Sequence, residues 1–196
     1  MFAGSSGSIS QTTCTTTPVF SPKSKAELKG AVDEYLELSP QGDSSAGPHG
    51  PIGEWGVSSV ADMSHMFSYA TLFNGDLSKW DVSSVKDMSS MFLAAKSFKR
   101  DLSKWDVSSV TTMPAMFRWA TSFNSDISKW DVSSVNNMDY MFWDATLFKR
   151  KLCGAAWVYS KARKTVMFAG SSGSIPETAC ASSTGIKPAF VTLTLT

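Results

Sequence analysis

Trp80-Asp-Val-Ser-Ser-Val-Lys-Asp-Met-Ser-Ser-Met-Phe92 decides the fold, because the chain carries four related copies of this stretch at constant spacing. The copies end at Phe67, Phe92, Phe117 and Phe142, 25 residues apart each time. A unit of this length cannot bury its own apolar residues, whereas stacked units cover one another. The sequence therefore predicts a stack in which every residue has an equivalent one coil away.

The apolar spacing changes within each unit. Trp80 and Val82 alternate with polar residues, as on a β-strand. The apolar residues that follow are spaced by 3, 3, 1, 3 and 3, as on one face of a helix, and are Val85, Met88, Met91, Phe92, Ala95 and Phe98. Ser84 and Asp87 have the spacing of a helix capping box. The sequence thus predicts an α/β fold, a solenoid of about four to five strand–helix coils of 25 residues.

The two ends of the chain differ from the repeats. Ser24-Lys-Ala-Glu27 has the pattern of a capping box and opens an amphipathic segment, which predicts an N-terminal helical cap. Met1 to Ile9 recur as Met167 to Ile175, so 1–20 is interpreted as the remnant of a preceding unit's C-terminal cap and linker. The predicted order then continues with the cap helix and loop at 21–50, four repeats at 51–148, a degenerate capping coil at 149–180 and a tail at 181–196.

The three cysteines predict one disulfide. Cys14 and Cys180 occupy the same place in the recurring element, which leaves Cys153 as the remaining thiol of the complete unit. We therefore expect a Cys153–Cys180 bond, with the alternative of three unpaired thiols. A disulfide indicates maturation in an oxidising compartment, and this favours an extracellular or cell-surface protein.

Composition and motifs disfavour several classes of function. A net charge of +1 gives no general attraction to nucleic acid, and no apolar stretch is long enough to span a membrane. Gly4-Ser-Ser-Gly7 lacks the spacing of a nucleophile elbow, and no phosphate-binding or dinucleotide glycine pattern occurs. His49 and His65 have no second histidine at ligand spacing. We expect no enzyme activity, no metal and no cofactor.

The fourfold Trp-[Asp/Gly]-Val-Ser-Ser-Val-x-x-Met-x-x-Met-Phe pattern resembles the BspA-like leucine-rich repeats of surface proteins, over about 50–148. The long recurrence of the Met1 element resembles the multi-unit arrangement of microalgal and diatom members. The resemblance implies a right-handed leucine-rich-repeat-like solenoid, placement at the cell surface and binding of extracellular proteins. It implies no catalytic residues, because the family shares none.

Two sets of residues are candidates for contact with a partner. If Trp80 and Val82 face the core, charged neighbours form rows on the outside, namely Lys79, Asp81, Lys104, Asp106, Lys129 and Asp131. The alternative is that the rows of opposite charge only neutralise each other and keep the surface soluble. Tyr140 and Trp143 depart from the repeat, about 150° from the apolar face at helical spacing. They are expected either to contact a partner or to pack between repeats.

These observations favour a non-catalytic recognition or adhesion module that binds an extracellular protein or surface glycan, as one unit of a longer multi-unit chain. The alternative is a structural wall or matrix scaffold without a specific ligand. Binding to a repetitive inorganic or ice surface is a third reading, which the large charged residues in each row disfavour.

Overall fold

A computed structural model describes residues 18–42 and 47–180. Regular helices in these residues are α1, Lys25–Leu38, a short 3-10 helix, Ile52–Glu54, and α2, Ala155–Val158. The rest of the described chain consists of turns, bends, isolated bridge residues and irregular segments, and no strand or sheet forms there. Successive units meet at isolated parallel bridges that join Asp62 to Asp87, Asp87 to Thr112, Thr112 to Asn137, and Asn137 to Arg163.

The predicted α/β architecture of strand–helix coils is therefore wrong. In the second unit, where a helix was expected, Ser90 and Ala94 have positive φ values of 55° and 56°. Both equivalent positions are left-handed in the other three repeats, at His65 and Tyr69, Ala115 and Trp119, and Tyr140 and Asp144. An α-helix of L-residues requires negative φ throughout, so two left-handed residues four apart exclude one.

The main chain uses its N–H groups alternately within a unit and between units. Met88, Ser90, Phe92 and Ala94 donate to carbonyls one coil further on, with N···O distances of 3.0, 2.9, 2.9 and 2.7 Å. Between them, Met91 donates to Met88 at 3.2 Å and Leu93 donates to Ser90 at 3.1 Å, so each bond joins residues three apart and closes a four-residue turn. Consecutive turns of this size bring every third side chain to the same side. They reproduce the spacing that predicted a helix.

The predicted strand at Trp80 and Val82 is also made of turns. Trp80 N–H donates to the Leu77 carbonyl at 3.0 Å and Val85 N–H donates to the Val82 carbonyl at 2.9 Å. Trp80 and Val82 are nonetheless buried, while Asp81 between them is exposed. The sequence thus identified the buried positions correctly but assigned them the wrong backbone conformation.

Equivalent side chains stack in columns through the core. The column of Phe67, Phe92, Phe117, Phe142 and Phe168 has ring separations of 5.4, 5.5, 5.7 and 5.5 Å, with planes within 7° of parallel. A second column contains Phe73, Phe98, Phe123 and Phe148, 5.9 to 6.2 Å apart. All eight methionines of the four repeats are buried beside them, as expected for core residues.

The core tryptophans also form a column, held by hydrogen bonds from their indoles. Trp80, Trp105 and Trp130 each donate Nε1–H to the main-chain carbonyl 28 residues earlier, at 2.7, 3.0 and 3.0 Å. A buried indole N–H needs such a partner, because an unpaired donor in the core would cost about 1–3 kcal/mol. These tryptophans are therefore part of the structural framework.

Helix α1 packs on the first coil through one face. Leu28, Ala31, Val32 and Tyr35 are its buried residues, and the Tyr35 ring lies edge-on to Trp55 with centroids 5.7 Å apart. The Ser24 hydroxyl accepts the Glu27 N–H at 3.2 Å, so this N-cap was predicted correctly. The Glu27 carboxylate accepts from Lys23 rather than Ser24, so the reciprocal bond is displaced by one residue.

The capping boxes predicted inside the repeats are wrong. Asp87 does not return to Ser84. Its Oδ1 accepts the N–H and the hydroxyl of Ser89, two residues ahead, at 2.7 and 2.5 Å. The same Asp-x-Ser turn forms at Asp81 and Ser83 and at Asp106 and Ser108. Aspartate stabilises such turns because its carboxylate accepts from the main chain two residues on.

The last coil is irregular in length but keeps the core intact. Helix α2 accommodates the longer interval between Leu152 and Trp157, and Trp157 still donates to the Ile127 carbonyl at 3.0 Å. The predicted Cys153–Cys180 disulfide is present, and Cys180 N–H donates to the Cys153 carbonyl at 2.9 Å. Cys14 lies outside the described residues.

We expect Trp105→Phe to lower the free energy of unfolding by about 2–4 kcal/mol, because it removes ring volume and one of the two donors to the buried Leu77 carbonyl, which keeps only the Trp80 N–H. Urea denaturation measures the change. Trp143→Phe is the matched control, since Trp143 is only half-buried and its indole has no acceptor among the described residues, and it should cost less than about 1 kcal/mol. Equal losses for the two variants would contradict a structural tryptophan column.

Acid should destabilise the repeats. Hydrogen bonds from the side chains of Ser83, Ser108 and Ser133, aided by those from the same residues' N–H groups, hold the pKa of Asp81, Asp106 and Asp131 below the ordinary value of 3.8. This stabilisation is fully present above that value and is lost as the pH falls through the lowered pKa values. We expect the urea midpoint to stay level from about pH 6 to 5 and to fall below about pH 4.

The control is the triple variant Asp81→Asn, Asp106→Asn, Asp131→Asn, which keeps a hydrogen-bond acceptor in each turn but cannot titrate. Its urea midpoint should fall less below about pH 4 than that of the natural chain. An identical pH profile would show that these turns contribute nothing to acid sensitivity.

Non-reduced, denatured protein should contain two fewer free thiols per chain than reduced protein, because Cys153 and Cys180 are joined. Opening the loop by Cys153→Ala should destabilise the fold by about 3–4 kcal/mol on chain-entropy grounds. Thiol titration and urea denaturation measure the two effects. Finding all three thiols free before reduction would refute the disulfide.

Candidate partner-binding site

The six charged residues predicted to form partner-binding rows are all exposed, but they do not lie on a sheet. They are Lys79, Asp81, Lys104, Asp106, Lys129 and Asp131. The three aspartates accept hydrogen bonds from the serines of their own turns, as described above, so their carboxylates organise the local backbone. The serine hydrogen bonds lower the pKa of Asp81 and Asp131. The negative charge of Asp106 raises both values by a smaller amount, so the three carboxylates lie close enough for Asp106 to repel the other two.

The lysines of the predicted rows have different surroundings. Lys79 Nζ lies 3.7 Å from Glu54 Oε1, and both side chains are largely exposed. An exposed pair of this kind contributes little to stability. Lys104 and Lys129, by contrast, line one open groove of about 720 Å³ that spans neighbouring coils.

The groove combines cations with carboxylates. Lys99 and Arg150 add positive charge beside Lys104 and Lys129, while Asp101 and Asp126 add negative charge. Sequence analysis missed these four residues as site components. The pair Asp101 and Lys104 recurs as Asp126 and Lys129, so the repeated Asp-x-x-Lys spacing was the available signal.

Hydrogen bonding and nearby cations keep both groove carboxylates ionised. The N–H and hydroxyl of Ser103 lower the pKa of Asp101, and Ser125 and Lys104 lower it further. The hydroxyl and N–H of Ser128 lower the pKa of Asp126, with further lowering by Arg150 and Lys129. At neutral pH the groove therefore presents fixed charges of both signs to a partner.

Tyr140 and Trp143, the aromatic residues that depart from the repeat, belong to a second cluster. No helix exists there, since Tyr140 has a φ of 60°, and both residues are half-buried. Their ring centroids are 5.5 Å apart, and Trp143 lies 6.4 Å from Trp119 of the preceding coil. Packing between repeats therefore occurs, and it leaves part of each ring accessible.

Arg118 lies at the centre of this cluster, and sequence analysis did not identify it. Its guanidinium carbon is 4.0 Å from the Trp119 ring centroid, 4.1 Å from that of Trp143 and 6.0 Å from that of Tyr140. Guanidinium groups are attracted to aromatic faces, most strongly where water is excluded. We name Arg118, Trp119, Tyr140 and Trp143 the arginine–aromatic cluster.

Two features are absent from the described part of the chain. No group of three or more His, Cys, Asp or Glu side chains within 18–42 and 47–180 is arranged to hold a metal ion. Across these same residues, no helix has the length and apolar character needed to cross a membrane.

Comparison with known proteins places the chain in a family. Neither a curated protein nor a solved structure matches it significantly. A family model described as "Mycoplasma protein of unknown function, DUF285" matches residues 43–157, more than half of the 196-residue chain. The matched region contains all four repeats, the groove and the arginine–aromatic cluster. The chain therefore belongs to the DUF285 family.

Proposed function

We propose that this chain is a non-catalytic recognition or adhesion module that binds an extracellular protein or surface glycan through its exposed side chains. The observation that carries the proposal is the groove that Lys104 and Lys129 line with Lys99 and Arg150. All four cations are exposed and lie outside the buried core. A groove of exposed charges outside the core suits recognition better than chemistry.

The charge pattern of the groove indicates the kind of partner. Four cations and two carboxylates lie along neighbouring coils, so a complementary partner presents charged groups of both signs or a predominantly anionic face. Exposed charges of this type contribute mainly to specificity and association rate. Modest affinity at one groove is sufficient if several units act together in a longer chain.

An extracellular or cell-surface location is part of the proposal. The Cys153–Cys180 disulfide is compatible with an oxidising compartment. The resemblance of the Trp-Asp-Val-Ser-Ser-Val pattern to the BspA-like surface repeats supports the same placement and a binding role. It does not extend to the strand–helix architecture, which is absent from residues 18–42 and 47–180.

The competing proposal is a structural wall or matrix component. Continuous stacking of aromatic columns and backbone bridges, from the first repeat to the last coil, favours a stiff spacer whose length is set by the number of repeats. A spacer requires no saturable partner, whereas a recognition module does. This difference separates the two proposals.

The test is a pull-down from cell-surface or extracellular-matrix extract with immobilised full chain, followed by competition with free chain. We expect a saturable partner whose recovery falls about tenfold with Lys104→Glu, Lys129→Glu, because two charges of the groove are reversed. Quantitative mass spectrometry of the captured material measures recovery.

The matched control is Lys86→Glu combined with Lys161→Glu, which reverses two exposed lysines that do not line the groove. This control should leave recovery within about twofold of the natural chain. Recovery that is not saturable, or that falls equally in both double variants, would favour the spacer.

A further inference from the structure

The arginine–aromatic cluster contains a tryptophan donor that differs from the others in the chain. Six of the seven tryptophan indoles donate Nε1–H to protein oxygens, five to main-chain carbonyls and Trp119 to Asp144 Oδ2. Trp143 Nε1 has no acceptor among the described residues. Its N–H is therefore available to a ligand on this half-buried surface.

The central arginine differs from the other arginines in the same way. Arg100 and Arg150 donate Nε–H to the carbonyls of Asn74 and Asn124, and Arg163 donates to Asp139. Arg118 Nε is buried without a hydrogen-bond partner, and within the described residues its terminal nitrogens have no acceptor either. Because Arg118 as a whole is only half-buried, those terminal nitrogens are accessible.

The carboxylates of the adjacent coil are already engaged. Asp139 accepts from Arg163 at 2.6 Å and from the Thr165 N–H at 2.8 Å. Asp144 accepts from Trp119 at 3.2 Å. A guanidinium with several N–H donors and no anion beside it is a site for an acceptor, and its planar fork matches carboxylates and tetrahedral oxyanions.

The stacked framework does not require this cluster. The position of Arg118 is occupied by Ser68 in the first repeat and Leu93 in the second, and the position of Tyr140 by Ser90 in the second. These coils stack with the same main-chain bonds. The four side chains are therefore an addition at one place in the stack, where two unpaired donors converge.

Main-chain hydrogen bonding at the cluster favours a ligand other than an extended peptide. The N–H groups of Tyr140, Phe142 and Asp144 donate to the last coil at 2.9, 2.9 and 2.7 Å, and Trp143 N–H closes a turn at 3.1 Å. A peptide that binds by strand addition pairs with an unpaired main-chain edge. Here recognition depends on side chains, namely a guanidinium and accessible indole and phenol rings.

We propose that Arg118, Trp143 and Tyr140 form a binding site for an acidic saccharide, whose carboxylate or sulfate pairs with the Arg118 guanidinium. The indole N–H of Trp143 adds a second donor to the acid group, and the accessible ring surfaces pack against the apolar C–H groups of the sugar. The two indoles fix the guanidinium in place, which reduces the entropy lost on binding. This inference rests on the proposed recognition function and specifies one ligand class for it.

The experiment is calorimetric titration of the full chain at about 0.15 M salt. Polygalacturonate supplies carboxylates, dextran sulfate supplies sulfates, and neutral dextran supplies neither. We expect one or both acidic polysaccharides to bind and neutral dextran not to bind. The stronger of the two identifies the acid group.

Arg118→Leu installs the residue that the second repeat carries at this position, so the fold is expected to tolerate it. Affinity should fall about tenfold or more with Arg118→Leu, through loss of charge-assisted hydrogen bonds. Arg118→Lys should lower the affinity by a similar factor although the charge is kept, because lysine lacks the planar fork. Lys86→Ala, which removes an exposed cation outside both the cluster and the groove, should change affinity by about twofold or less.

Three results would overturn the inference. These are no binding of either acidic polysaccharide, equal loss with Arg118→Leu and Lys86→Ala, and binding of poly-L-glutamate as strongly as polygalacturonate. The second result indicates unspecific attraction to a polyanion, and the third indicates an acidic peptide ligand. An extract partner that still depends on Lys104 and Lys129 would leave the proposed function standing without this site.

Discussion

The hydrogen bonds that join each coil to the next are the interaction on which the rest of the structure depends. In each repeat, alternate N–H groups donate to carbonyls of the following coil, while the groups between them close local turns. This pattern fixes the distance between coils and therefore places the phenylalanine rings face to face. It also places each core indole within reach of a carbonyl from the previous coil. The packing of the core rings and the hydrogen bonding of the buried indole N–H groups thus follow from one main-chain arrangement.

The buried residues, the disulfide and the start of α1 could be predicted from the sequence, because each depends on spacing. The 25-residue period identified equivalent residues, and the apolar pattern identified the buried tryptophans, methionines and phenylalanines. The offset between Cys14 and Cys180 identified the disulfide partner of Cys180. Ser24 identified the start of α1. Each of these conclusions needs only the position of a residue relative to its equivalents.

The backbone conformation could not be predicted in the same way. A side chain recurs every three residues in consecutive turns and nearly so in a helix, so Val85, Met88 and Met91 fit both. The left-handed positions distinguish the two structures, but they hold residues such as Ser90, Ala94 and Tyr140 rather than glycine, which would mark them in a sequence. Arg118 was missed for a related reason. Its role depends on Trp143 of the next coil, and only the stacking geometry brings these side chains together.

The 5.4 to 5.7 Å ring spacing of the first phenylalanine column shows how closely equivalent positions follow one another. A substitution at a position shared by all repeats produces a line of similar groups along the stack. Two unit charges at such a spacing repel by roughly 0.8 kcal/mol even in bulk water, so a line of one sign becomes costlier with every added coil. A residue that departs from the repeat, as Arg118 does, instead creates one distinct position on an otherwise periodic surface. Duplication of coils therefore lengthens the molecule, whereas divergence of individual coils gives it distinct places to bind.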